Sequence, residues 1–98
     1  MAFVQIIEFT TTRFDEMQKL FDELRSRDPG PTSPGRGMVC ADRDQPNRYV
    51  TIVEFPSYEE AMANSERPET TAMAERMAAL CDGPPTFRNL DVHDVVET

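Results

Sequence analysis

The sequence predicts an α+β fold: an antiparallel four-stranded sheet with helices packed on it, in the order β-α-β-β-α-β. Three observations predict it. Four short segments rich in Val, Ile, Phe and Thr read as strands. Two longer stretches carry apolar residues at helical spacing. Clusters of Pro, Gly and Asp punctuate the joins. At 98 residues the chain is expected to form one domain, residues 1–98, small enough that burial alone leaves it marginal.

"AFVQIIEF" (2–9) is the first strand by composition. A helix is expected over 13–27, where Phe14, Met17, Phe21 and Leu24 recur on one face with Leu20 beside them. Thr12, with Asp15 three residues on, resembles a capping-box start. "DPGPTSPGRG" (28–37) holds three prolines and three of the four glycines, which marks a loop. "GMVCADR" and "RYVTIVEF" follow as strands joined by "DQPN", a turn with Pro46 between Asp44 and Asn47.

"SYEE" (57–60) starts a helix in which Ser57 caps a free N–H and Glu60 reaches back to the Ser57 N–H. That helix is expected to stop near Asn64. The residue before a proline avoids helical geometry, so Arg67 is extended and Pro68 opens a new helix at the position where its missing N–H costs nothing. Met73, Met77 and Leu80 form its apolar stripe, and Gly83 in "CDGPP" reads as its C-terminal cap. "TFRNLDVHDVV" (86–96) is the last strand. Element order and antiparallel pairing together make the ferredoxin-like pattern.

Composition bounds the partners. Ten Lys and Arg against 18 Asp and Glu give a net charge of −8, which repels phosphate backbones and anionic lipid. Nucleic acid and membrane are therefore not expected as partners. No apolar run approaches the roughly 20 residues of a bilayer span, and "MAFVQIIEF" lacks a basic leader; a cytoplasmic location is expected. Cys40 and Cys81 read as small buried hydrophobes rather than a disulfide or zinc pair. Asp42 and Asp44 read as solvated hairpin acids, and no metal is expected.

The strands predict an assembly. A one-sided antiparallel sheet should alternate apolar and polar residues. Here Phe3, Ile7 and Phe9 occupy odd positions, yet Val4 and Ile6 occupy even ones; Val53 and Phe55 are matched by Val50 and Ile52. Both faces are apolar, and the helices cover one. A second copy, sheet against sheet about a two-fold axis, is the expected cover. Burying ~700 Å² per subunit at roughly 25 cal/mol/Å² contributes on the order of 17 kcal/mol before association costs.

"SYEEAMANSERPET" carries a family resemblance. It is similar to the second-helix signature of the antibiotic-biosynthesis-monooxygenase-like group within the dimeric α+β barrel superfamily. In that signature an Ala-rich turn leads to His or Asn and then a Ser-Pro-His-like corner. Asn64 falls at the polar position, "RPET" replaces the corner, and Glu69 stands at the second His position. Element order and length extend the resemblance over nearly the whole chain. It implies a homodimeric α+β barrel with an apolar pocket for a small hydrophobic or aromatic molecule. It also implies a cofactor-independent monooxygenase-like chemistry, in which the substrate's own carbanion reacts with oxygen. Non-catalytic dimeric binding proteins are the alternative. A haem-binding member is a second, disfavoured alternative, because haem-degrading members use a second-helix histidine and residues 69–81 contain none; no cofactor is expected.

Polar groups on an apolar strand face are the candidates for orienting a ligand. The odd face supplies Gln5, Tyr49 and Thr51 as ligand-binding residues, with Asn89, Asp91 and His93 on the last strand. Asn64 is expected to look into the pocket from the helix corner, binding ligand and stabilising a developing oxyanion. His93, the sole histidine, is the candidate general base, with Asp91 to orient it. Met62, Met73 and Met77 are expected in the core.

Overall fold

The computed structural model describes residues 2–26 and 36–97, with residues 24–26 as backbone only. The elements are β1 (Phe3–Thr10), α1 (Phe14–Ser26), β2 (Arg36–Ala41), β3 (Arg48–Phe55), α2 (Tyr58–Ser65), α3 (Pro68–Leu80) and β4 (Thr86–Asp91). The sheet runs β2-β3-β1-β4, every neighbour antiparallel. This is the expected α+β, ferredoxin-like fold, with its second helical stretch in two pieces.

Register assigns the faces. Phe3 pairs with Phe55, Gln5 with Val53, Ile7 with Thr51 and Phe9 with Tyr49. On the other side of β1, Gln5 pairs with Asn89 and Ile7 with Phe87. Side chains opposite one another share a face, and this one meets the helices, because Phe3, Phe9, Thr51 and Phe55 are buried. The opposite face carries Val4, Ile6, Val50 and Ile52, half-buried, with Met38 and Leu90 exposed.

The core under the helices is in two parts. Phe9, Met17, Leu20 and Phe21 form one cluster, with Ile7, Phe14, Tyr49, Met73, Met77 and Leu80 packed around it. Phe3, Phe55 and Ala61 form the other, joined by Val53 and Met62. The three methionines thus take the packing places expected of them. Leu24 and most of the loop read over 28–37 lie outside the described side chains, although Arg36 and Gly37 already belong to β2.

The helix corner forms as its proline dictates. Arg67 is extended at φ −70° and ψ 136°, and Pro68 starts α3. Ser57 accepts a hydrogen bond from the Glu60 N–H at 3.2 Å. The β2–β3 connection is held by Asp42, whose Oδ1 accepts from the Asp44 and Gln45 N–H groups at 2.8 and 3.3 Å. Asn47 closes it in the left-handed region, φ 66°, a conformation asparagine tolerates.

Four expectations are corrected. The last strand stops at Asp91, and residues 92–97 are not strand. The start of α1 rests on Thr11 rather than Thr12: the Thr11 hydroxyl accepts from the Arg13 N–H at 3.0 Å and donates to the Leu80 carbonyl at 2.6 Å. Gly83 is not a left-handed cap, since α3 ends on Cys81 in extended geometry. Both cysteines are free and only half-buried.

Candidate functional site

The seam between the two core clusters is where polar side chains enter the helix-facing side of the sheet. Ile7 packs against one cluster and Val53 against the other. Their cross-strand partners are Thr51 and Gln5, so two polar groups lie diagonally across the seam. Thr51 is 9 % exposed, and its Oγ1 is buried with no hydrogen-bond partner. Buried hydroxyls are nearly always paired, and one that is not asks for an explanation such as a ligand or a water. Gln5 is half-buried, and its Nε2 donates to Asn89 Oδ1 at 3.2 Å across the β1–β4 pair.

Asn64 occupies the last turn of α2, half-buried. Its carbonyl accepts from the Arg67 N–H at 3.2 Å, while its amide side chain makes no hydrogen bond among the described residues. The neighbouring Ser65 hydroxyl is used inside the helix, donating to the Met62 carbonyl at 2.9 Å. The corner therefore consumes Ser65 and leaves the Asn64 amide available.

Tyr49 packs through its ring. Its ring stacks on Phe14 at 4.3 Å and 13°, and on Phe9 at 5.7 Å and 22°. It also borders an open cleft of about 350 Å³ with Asn47 and the first turn of α1. A second cleft, about 400 Å³, runs between α1 and α3. The Arg76 guanidinium crosses between these helices to both carboxylate oxygens of Glu23, at 2.8 and 3.2 Å. Neither cleft is lined by Gln5, Thr51, Asn64 or His93.

His93 lies two residues beyond the end of β4 and is exposed. The alternation that put it on one face with Asp91 does not extend past Asp91. The structure thus brings Gln5 and Thr51 together on the sheet, sets Asn64 on the helix corner, and leaves His93 on the surface. Sequence reading passed over Glu60, whose Oε2 is buried without a partner. Its place in a capping box concealed it, because that motif supplies a local partner on paper.

Among the described residues, no three His, Cys, Asp or Glu side chains gather as a metal site, and no helix is long and apolar enough to cross a membrane.

The fold, a four-stranded antiparallel sheet with its helices on one side, is shared with solved structures described as antibiotic biosynthesis monooxygenases. The chain is similar to SnoaB, a cofactor-independent oxygenase from Streptomyces nogalater, with a TM-score of 0.79 over 99% of this chain and 98% of that one, at 18% identity. It is likewise similar to Rv0793 from Mycobacterium tuberculosis, with a TM-score of 0.75 over 99% and 100% of the two chains, at 14% identity. A structure of an antibiotic biosynthesis monooxygenase matches with a TM-score of 0.66 over 96% and 100%, at 15% identity. No family model matches the sequence, and no curated protein matches it.

Proposed function

We propose that the chain is one subunit of a homodimer that binds a small hydroxyaromatic molecule and, with molecular oxygen, oxidises it without a cofactor. One observation carries the reading: a buried, unpartnered Thr51 hydroxyl beside Gln5, set between two apolar clusters. The fold it shares with a cofactor-independent oxygenase supports the reaction class. Its net charge of −8 supports a protein with neither nucleic acid nor anionic membrane as partner.

The chemistry asks little of the protein. A hydroxyaromatic that loses its O–H proton places electron density on a ring carbon, and that carbon can add oxygen. The carbon then becomes a carbonyl, and the second oxygen atom leaves as water. Asn64 and Gln5 donate hydrogen bonds to the developing oxyanion, and Thr51 and Tyr49 complete the ligand contacts.

Oxygen uptake and quinone absorbance with a dihydroxynaphthalene test this reading. Asn64→Ala is expected to lower turnover by about a hundredfold or more, the usual cost of losing one oxyanion donor. Absence of uptake, together with absence of any thermal shift by the ligand, would end it. The Gln5–Asn89 hydrogen bond favours a second reading, a dimeric binding protein without catalysis, since it occupies a candidate donor. Binding without oxygen consumption would establish that one.

A further inference from the structure

We infer that Glu60 is the group that takes the ligand's proton, and that the site accepts an uncharged ligand through a hydroxyl. The inference rests on the ligand site proposed above. Among the described residues, two side-chain oxygens are buried without a hydrogen-bond partner: Thr51 Oγ1 and Glu60 Oε2. They belong to β3 and α2, consecutive elements that pack against each other.

Glu60 is held away from the partners it could have had. Ser57 Oγ accepts from the Glu60 N–H, but the reciprocal bond of a capping box, from the Ser57 N–H to the Glu60 carboxylate, is absent among the described residues. Nor does a cation reach it among the described residues. Arg67 pairs with Glu69, and Arg76 with Glu23. A buried carboxylate oxygen without donor or counter-charge is poised to accept a proton or a hydrogen bond.

Its position fits the site. Glu60 and Asn64 are one helical turn apart, at i and i+4, and such residues are neighbours on one side of a helix. Ala61 and Met62 turn toward Phe3, Phe55 and Val53, anchoring α2 on the sheet. One flank of α2 thus presents a proton acceptor in Glu60 and a hydrogen-bond donor in Asn64. Deprotonation of a hydroxyaromatic needs both: an acceptor for the proton and a donor for the oxyanion it leaves behind.

In the step, the ligand O–H bond breaks and an O–H bond forms on Glu60 Oε2. The electron pair stays on the ligand oxygen and delocalises into the ring, where molecular oxygen takes it up. The charge also selects. None of Gln5, Thr51, Asn64 and Glu60 carries a positive charge that would neutralise a carboxylate or phosphate. Glu60 would repel such ligands and favour a neutral hydroxyl donor.

Glu60→Gln and Glu60→Leu, both checked for an unchanged melting temperature, test this against dihydroxynaphthalene and its dimethyl ether. The wild-type protein is expected to bind the free hydroxyl compound at least about tenfold more tightly than the ether, the effect of a charge-assisted hydrogen bond. Glu60→Leu is expected to bring that ratio close to one. Glu60→Gln is expected to retain binding and lose about a hundredfold or more in oxygen uptake, the range of a general base. If wild type binds without oxidising, the ratio alone decides. A ratio unchanged in Glu60→Leu, or full turnover in Glu60→Gln, overturns the role of Glu60 and leaves the ligand site standing. A wild-type protein that binds neither compound removes the ligand site itself, and this assignment with it.

Discussion

Thr11 is the residue through which the two ends of the helical layer meet. It is fully buried, and its hydroxyl is both donor and acceptor, reaching the Leu80 carbonyl at 2.6 Å and the Arg13 N–H at 3.0 Å. Around it the Arg13 guanidinium donates to the Ala79 carbonyl at 2.6 Å, and the Asp82 N–H donates to the Thr10 carbonyl at 2.8 Å. Two of the last carbonyls of α3, those of Ala79 and Leu80, which no intrahelical N–H can satisfy, are therefore met by Arg13 and Thr11 in the short segment between β1 and α1. A cation at a helix C-terminus also sits favourably in the helix field. Thr11→Val keeps the volume and removes both hydroxyl bonds in a place water does not reach. It is expected to cost about 2–3 kcal/mol, lowering the melting temperature by on the order of 10 °C in thermal unfolding followed by circular dichroism. Nothing in "TTTR" singles out the second or third threonine from sequence, because the distinction is made by Leu80, which is 69 residues away.

At the scale of elements, the chain broadcasts some features and hides others. The break between α2 and α3 is legible because proline acts through covalent geometry, which holds whatever the helix packs against. The cap at Ser57 is legible for the same local reason. Ser57→Ala removes the bond to the Glu60 N–H and is expected to cost about 1 kcal/mol, measured by urea unfolding at constant m-value. The length of β4 is not legible. "VHDVV" has strand composition, but a strand exists only where a neighbour offers its N–H and C=O groups. β1 pairs with β4 only as far as Phe3 opposite Asp91, with one further bond from the Val92 N–H to the Ala2 carbonyl at 2.8 Å. The face assigned to His93 was lost with that extension. The candidate site divides likewise. Gln5 and Thr51 could be found as polar residues interrupting apolar strands, a pattern of period two. Glu60 could not, because its sequence context offers a local partner that the folded chain does not use.

The shape of the whole chain argues for a partner on the sheet's open face. Its smallest dimension is 22 Å, the thickness of one sheet and one layer of helices. The face free of helices has the right pattern for such a partner. Val4, Ile6, Val50 and Ile52 occupy its centre with Met38 beside them. Glu8 stands next to them, within 3.5 Å of Arg48 and 3.6 Å of Arg88. An apolar centre with ion pairs alongside is the anatomy of an interface rather than of a solvated sheet. We therefore expect sedimentation equilibrium at micromolar concentration to report twice 11.1 kDa. Ile52→Lys places an unpaired charge at the centre of that face, where a two-fold axis would bring two copies of it close together. The variant is expected to sediment as a single subunit with a lower, concentration-independent melting temperature. Lys on the exposed sheet of a natural monomer would instead be nearly neutral in stability. A wild-type chain that sediments at 11.1 kDa, and an Ile52→Lys variant that melts where it does, would show that this face is at home in water.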